Sequence, residues 1–341
     1  MRLPYYSLLT VVLLVGNALN AQGLHFSQYF NAPLLVNPAN TGFMPDYDYR
    51  VGGNYRDQWA NLGNPYKTMS IWGDTKLFNN SFDNSWVGIG AMLLNDVAGS
   101  GTLNSNKGYI SVAYHQLLGD NSLLSGGLGI GMVNKRIDIN KLTFDNQWNG
   151  QFFDATINPN EPFTRNSVTY FDMQAGLNFA FFPTDNVYVN MGISGMHLNR
   201  PNESFFSTKS LSGAVPYRFT GFFNSSIKIQ NLWIVNPNIY ISKMGNVWET
   251  VVGVNANRNL SGDGTSQLIL GIYYRNKDAL IPMIGYEIND LKITFNYDAT
   301  ISSLNYYNAS QGAYEISIIK SGLIGGATSS SKSVKCPSIK F

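Results

Sequence analysis

The stretch "LKITFNYDATI", residues 291–301, places Leu291, Ile293, Phe295, Tyr297, Ala299 and Ile301 on one side of an extended chain. Lys292, Thr294, Asn296, Asp298 and Thr300 fall on the other side. Successive strand residues point to opposite faces, so a period of two makes one face greasy and the other wet. The pattern recurs in "YFDMQAGLNFAF" (170–181), where Phe171, Met173, Leu177, Phe179 and Phe181 oppose Tyr170, Asp172, Gln174 and Asn178. In "YRVGGNYRDQW" (49–59), Tyr49, Val51, Tyr55 and Trp59 oppose Arg50, Asn54, Arg56 and Gln58. Buried parallel strands read as unbroken apolar runs, so faces this clean indicate an antiparallel sheet that is wet on one side.

Working outward, strands are predicted at 48–59, 67–77, 85–97, 103–118, 122–138, 167–182, 186–199, 215–230, 232–244, 247–260, 265–278, 279–289, 291–302 and 313–323. That makes about fourteen, an even number, as single-chain bacterial outer-membrane barrels have. Most run to about 10–16 residues, longer than the ~5–6 of soluble sheets and sufficient for the ~9–11 of a tilted spanning strand. Pro237 is the weak point of the stretch 232–244, and a bulge is expected there. The long links, about 139–166, 200–214 and 303–312, all follow odd-numbered strands. Tight turns at "GDNS", "PTDN", "QN" and "ND" follow even ones. Outer-membrane barrels have short periplasmic turns and long external loops, so this sorting sends the first strand outward from a periplasmic N-terminus. The fold class is therefore all-β: a transmembrane outer-membrane barrel of about 14 antiparallel strands.

Composition agrees. Of 341 residues only 13% are charged, 13% are aromatic and 33 are Gly. Aromatic residues suit girdles at the two membrane interfaces. Inward-facing Gly in "LLSGGLGIGM" and "WVGIGAM" lets the wall bend or an inserted segment approach closely. A net charge of +2 supplies no basic field for nucleic acid. Outer-membrane lipid is the expected surrounding instead.

Residues 1–21 read as a secretory signal: Arg2, the apolar core "SLLTVVLLVGNAL", then "ALNA", with cleavage expected before Gln22. The competing reading is an anchor, but the run is shorter than the ~20 residues a spanning helix needs. Residues 22–46 form a strap, 47–324 the barrel and 325–341 a tail. The strap's core, "HFSQYFNAPLLVNPANTG" (25–42), is too apolar for a linker, and Pro33 and Pro38 spoil it as helix or central strand. It is expected to begin at the periplasmic mouth and fold into the barrel lumen through Phe26, Ser27, Gln28, Tyr29, Asn37, Pro38, Ala39 and Gly42. The luminal polar residues Arg50, Asn54, Arg56 and Gln58 would hold it. A periplasmic docking arm is the alternative. For the arginines, lining a conducting lumen competes with pairing to carboxylates such as Asp74 or holding the inserted segment; charges at membrane depth normally find partners, which favours the latter.

Chemistry-bearing residues are sparse. The single Cys336, in "VKCPSIKF", allows no internal disulfide. His25 lies in the strap, His115 faces the lumen, and His197 ends a strand. A barrel lipase needs a Ser–His pair oriented by a third polar group; Ser111, four residues before His115, can share its face, as could almost any Ser in a barrel, so the spacing is weak evidence. "DNQWNGQFFD" lacks the alternating ligands and closing Glu of a calcium loop. No catalytic residue, metal or cofactor is assigned.

"FSQYFNAPLLVNPANTG" (26–42), "YRDQW" (55–59), "YKTMSIWGDTKL" (66–77) and the ending "CPSIKF" resemble the PorP/SprF family of the type IX secretion and gliding system. The resemblance is specific over about residues 24–77; "NPANTG" departs from it after the NPA. It implies an outer-membrane barrel that aids export or surface anchoring of a partner adhesin or other cargo with a C-terminal secretion domain. It also implies contact with periplasmic components of the machinery. External loops would then hold the partner through Trp148, Phe152, Phe153, Phe163, Phe205 and Phe206, aromatic residues of the kind enriched at protein interfaces. The rival readings are a passive porin or hydrophobic-solute channel and, third, an outer-membrane phospholipase.

Overall fold

The computed structural model describes residues 26–341 apart from 45, 61–64, 79–83, 100–101, 155, 159, 162, 207–212, 309 and 325–340. The expected signal segment, His25 and Cys336 lie outside the described residues. Fourteen strands form the wall: β1 (Tyr49–Gln58), β2 (Tyr66–Leu77), β3 (Ser85–Ala98), β4 (Leu103–Leu117), β5 (Ser122–Arg136), β6 (Ser167–Thr184) and β7 (Val187–Met196). The second half comprises β8 (Arg218–Ile229), β9 (Trp233–Met244), β10 (Val247–Asn259), β11 (Ser266–Arg275), β12 (Ala279–Ile288), β13 (Leu291–Thr300) and β14 (Gln311–Gly322). Each strand pairs antiparallel with its sequence neighbours, and β1 pairs with β14 from Tyr49↔Gly322 to Gln58↔Ala313. The sheet closes, so no edge is left with unpaired backbone groups.

The wall is inside out relative to a soluble sheet. On β13 the apolar Ile293 and Phe295 are 46% and 42% exposed, while Asn296 and Asp298 are 0% and 2% exposed. On β6, Phe171 and Leu177 face outward and Asp172 and Asn178 are buried. Only lipid makes an apolar exterior favourable around a polar interior. Outward aromatics mark both rims: Tyr66, Trp248 and Tyr274 at one end, Tyr114, Phe181 and Tyr286 at the other. No helix among the described residues is long and apolar enough to cross a membrane.

Call the end that carries the links after odd-numbered strands the odd end. The three longest links, 137–166, 197–217 and 301–310, are all there. The sorting is less strict than the sequence suggests. Tight turns at 245–246 and 276–278 also lie at the odd end, while 260–265 at the even end is longer than a tight turn. At the turn between β12 and β13, Asn289 and Asp290 both have positive φ, 47° and 63°. That is the pair of conformations a two-residue hairpin matched to strand twist requires.

The bulge expected at Pro237 is absent. Register between β8 and β9 is the same on both sides of it, from Arg218↔Met244 to Ile229↔Trp233. Pro has no N–H to donate, so the ladder skips Ser225 and Ser226 without inserting a residue. Register shifts occur instead at Phe181/Thr184 between β6 and β7 and at Asp298/Ala299 between β13 and β14.

The hydrophobic core lies in the lumen. Residues 26–44 run through it with short turns and the single-turn helix α1 (Pro33–Val36), leaving a polar space of about 250 Å³ between Phe30, Asn31 and the inner faces of β8 to β13. Each buried apolar cluster contains a strap residue: Tyr29 and Val36 with Tyr240 and Tyr273, Leu34 with Trp72 and Tyr109, Phe43 with Trp86 and Phe182, Phe26 and Ala32 with Leu94. The first described residues of the strap lie away from the even mouth, where the strap as a whole is expected to begin. Ser27 stands in the odd half, beside the odd-end portions of β1, β11, β13 and β14, and the chain descends to the even mouth to enter β1.

Candidate functional site

At the top of the strap, Glu315 accepts the backbone N–H groups of Ser27 and Gln28, each at 2.9 Å. The Ser27 hydroxyl donates to Asp298 and accepts from Arg56 and Arg275. Arg56 lies 2.9 Å from Asp298 and 3.3 Å from Glu315. Arg275 reaches Asp298 and Asp278 at 3.0 Å and Glu249 at 3.4 Å. Arg56, Arg275, Asp298 and Glu315 thus surround one neutral serine, and each of these charges has an opposite partner in the wall itself.

Below this, Gln28 Nε2 donates to Asn296 at 2.5 Å. Asn31 Nδ2 donates to Thr294 at 2.9 Å, and Thr294 donates to Gln28 Oε1. Asn54 donates to the Asn31 carbonyl at 3.3 Å and accepts the Trp72 indole N–H at 3.1 Å. Tyr29 stacks on Tyr240 with ring centres 4.7 Å apart. The mid-strap turn is anchored by Asn37, whose Nδ2 donates to the carbonyls of Leu177 and Ile193 at 2.9 and 3.2 Å. Its Oδ1 accepts Ala39 N–H at 2.8 Å. Two wall glycines make room here: a Cβ on Gly127 would lie 2.5 Å from Pro38 and Ala39, and one on Gly176 would lie 2.0 Å from Asn37 Oδ1. The backbone groups of an inserted segment must all find partners, and the wall supplies them.

Toward the even mouth, Arg50 pairs with Asp74 at 2.6 Å and donates to the Asn40 carbonyl at 3.1 Å. Gly42 N–H donates to Asp74 at 2.7 Å, and Trp86 Nε1 donates to the Gly42 carbonyl at 2.9 Å. Gly42 takes φ +68° and passes Gly88 so closely that a Cβ on it would sit 2.4 Å from the Gly88 Cα. His115 Nε2 lies 2.8 Å from the Thr41 carbonyl, and its Nδ1 lies 2.7 Å from Ser125 Oγ. Ser111 instead bonds the Thr41 hydroxyl at 2.7 Å. The Ser111–His115 pair a lipase would need is not made, and both residues are buried beneath the strap.

Of the luminal residues read from sequence, Arg50, Asn54 and Arg56 touch the strap. Gln58, half-buried nearer the odd end, makes no hydrogen bond to the strap among the described residues. Sequence reading missed Arg275, Asn296, Asp298 and Glu315 as receptors for it. Asn296 and Asp298 stood on the polar face of "LKITFNYDATI", and that alternation was the available signal. Among the described residues, no group of three or more His, Cys, Asp or Glu is placed to hold a metal.

The family model described as "Type IX secretion system membrane protein PorP/SprF" matches residues 18–319. The chain belongs to the PorP/SprF family. No curated protein matches it. Among solved structures, the CymD monoaromatic hydrocarbon channel is similar with a TM-score of 0.51 at 10% identity, over 89% of this chain and 96% of that one. The Pseudomonas putida toluene transporter TodX gives 0.50 at 11% identity, over 85% and 92%. At such identity the likeness shows an outer-membrane barrel fold alone.

In this PorP/SprF barrel the odd-end loops do two things. Two residues of the link 197–217 turn inward: Val215 is buried, and Phe205 packs with Leu34, Tyr109 and Tyr170 over the strap. Phe205, expected on a partner-binding surface, is therefore a lumen-facing residue. Phe163 is half-buried. Trp148 and Phe153 form an isolated bridge, as do Phe163 and Phe206, whose rings stack 5.1 Å apart. Trp148, Phe152, Phe153 and Phe206 are exposed.

Proposed function

We propose that this chain is a non-enzymatic outer-membrane component of the type IX secretion and gliding machinery. It aids export of a partner adhesin or other cargo with a C-terminal secretion domain, or anchors that cargo at the surface. The family match supports the machinery. The observation that favours an anchor over a channel is the occupied lumen: the strap bonds to opposite sides of the wall, and Phe205 and Val215 pack on it from above. CymD and TodX are described as a channel and a transporter, and this occupied interior argues against carrying that role over.

In this reading the odd end faces outward and presents Trp148, Phe152, Phe153, Phe163 and Phe206 to the exported partner. The even mouth faces the periplasm, where other secretion components meet the barrel. In this orientation the junction between strap and β1 lies at the periplasmic mouth. The test is affinity capture from detergent-solubilised outer membranes, read by mass spectrometry. Wild type is expected to retain a protein with a C-terminal secretion domain, and a variant with Trp148, Phe152 and Phe153 changed to Ser is expected to lose it. Capture of no such protein, together with solute-dependent swelling of liposomes holding the pure barrel, would install the channel reading instead.

A further inference from the structure

The lipid-facing wall of β5 to β9 is not uniformly covered. Cross-strand register sets its outward residues in rows. Nearest the odd end runs Leu128–Ala175–Gly195–Phe219–Lys243–Trp248, then Gly126–Leu177–Ile193–Gly221–Ile241, then Leu124–Phe179–Met191–Phe223–Ile239. Gly126, Ala175, Gly195 and Gly221 leave hollows among long apolar neighbours. The result is a trough of about 980 Å³ that continues into a second of about 460 Å³, sharing Leu177, Ile193, Gly221 and Ile241. It runs along the barrel wall from the odd rim inward and is lined almost wholly by carbon.

Cations stand only at its upper end. Lys243 Nζ lies 4.9 Å above the ring of Trp248, and Arg200 lies 5.4 Å above the ring of Tyr217, which neighbours Phe219. Among the described residues, neither has a carboxylate within ion-pair distance. The comparable hollow on β14, β1, β2 and β3, about 560 Å³, also has a lysine, but Lys320 is committed to the carbonyl of Asn289. A long apolar trough headed by two cations that have no carboxylate partner among the described residues complements an acyl chain beneath an anionic head.

We infer that this trough seats a phosphorylated glycolipid of the outer leaflet, its acyl chain over Gly195 and Gly221 and its phosphate on Lys243 and Arg200. The choice of leaflet rests on the outward orientation of the odd end proposed above; the cargo capture tests that reading separately. The experiment is native mass spectrometry of the full barrel in mild detergent, with bis-phosphorylated lipid A or phosphatidylglycerol added. Wild type is expected to retain one lipid A. Lys243→Gln should weaken retention about tenfold, the scale of one charge-assisted contact. Gly221→Leu, which fills the hollow without touching the charge, should weaken it as well, while Lys320→Gln should not. Heat-modifiable migration confirms that each variant is a folded barrel. Retention that is equal in all variants, or absent in wild type, overturns the site. Preferential retention of phosphatidylglycerol overturns the glycolipid and places the odd rim in the other leaflet.

Discussion

Arg56 shows how the lumen tolerates charge. Its side chain is 4% exposed and its partners Asp298 and Glu315 are 3% and 0% exposed, so all three have left water. Removing one member of a buried ionic group leaves its partners uncompensated and costs about 3–5 kcal/mol, whereas the intact group contributes little net stability. Arg56→Met is therefore expected to lower the unfolding free energy of the barrel in vesicles by that amount, read as a lower urea midpoint. Ser27→Ala, which deletes the neutral hydroxyl between Asp298 and the two arginines, should cost less, about 1–3 kcal/mol. An unchanged midpoint for Arg56→Met would show that water enters the cluster and screens it.

Among elements, the strap is the unusual one. Residues 26–44, "FSQYFNAPLLVNPANTGFM", carry no charged side chain. It therefore enters a charged lumen with no ion of its own to desolvate, and Pro33 and Pro38 reduce the entropy lost on ordering it. Because Arg56 and Arg275 pair with Asp298, Glu315 and Glu249 in the wall, taking the strap away orphans none of them. Deleting residues 24–40 is accordingly expected to leave barrel assembly largely intact while removing the floor on which Phe205 and Val215 pack. Planar-bilayer recordings should then show raised conductance relative to wild type. Conductance that does not change would count against the strap as the closure of the lumen.

On the scale of the whole molecule, the bilayer decides which face of every strand is out. Ile71, in the middle of β2, is 63% exposed on the lipid side, while its neighbour Ser70 is buried against Asn54. A cation placed on the lipid face near the midplane costs about 2–4 kcal/mol. Ile71→Arg should lose that much folding free energy in vesicles, and Ile71→Ala far less. If both variants unfolded at the wild-type urea concentration, the exterior would be facing water.

How much of this could be read without coordinates follows from the range of each interaction. Strand alternation, the even count and the placing of the longest links are local properties, and they sufficed for a closed barrel. Asp74 could be named opposite Arg50 because β1 and β2 are consecutive and their register is short-range. Family membership, too, was legible in "FSQYFNAPLLVNPANTG" and "YRDQW". What only the tertiary structure decided required closure. Arg56 meets Asp298 and Glu315 because β1 joins β14, bringing together residues 242 and 259 positions apart. The direction of the strap, the inward turn of Phe205 and the straight passage of Pro237 were likewise settled by neighbours distant in sequence. Periodicity reports which side a residue faces; the shape and occupancy of the enclosed space emerge only when every wall is in place.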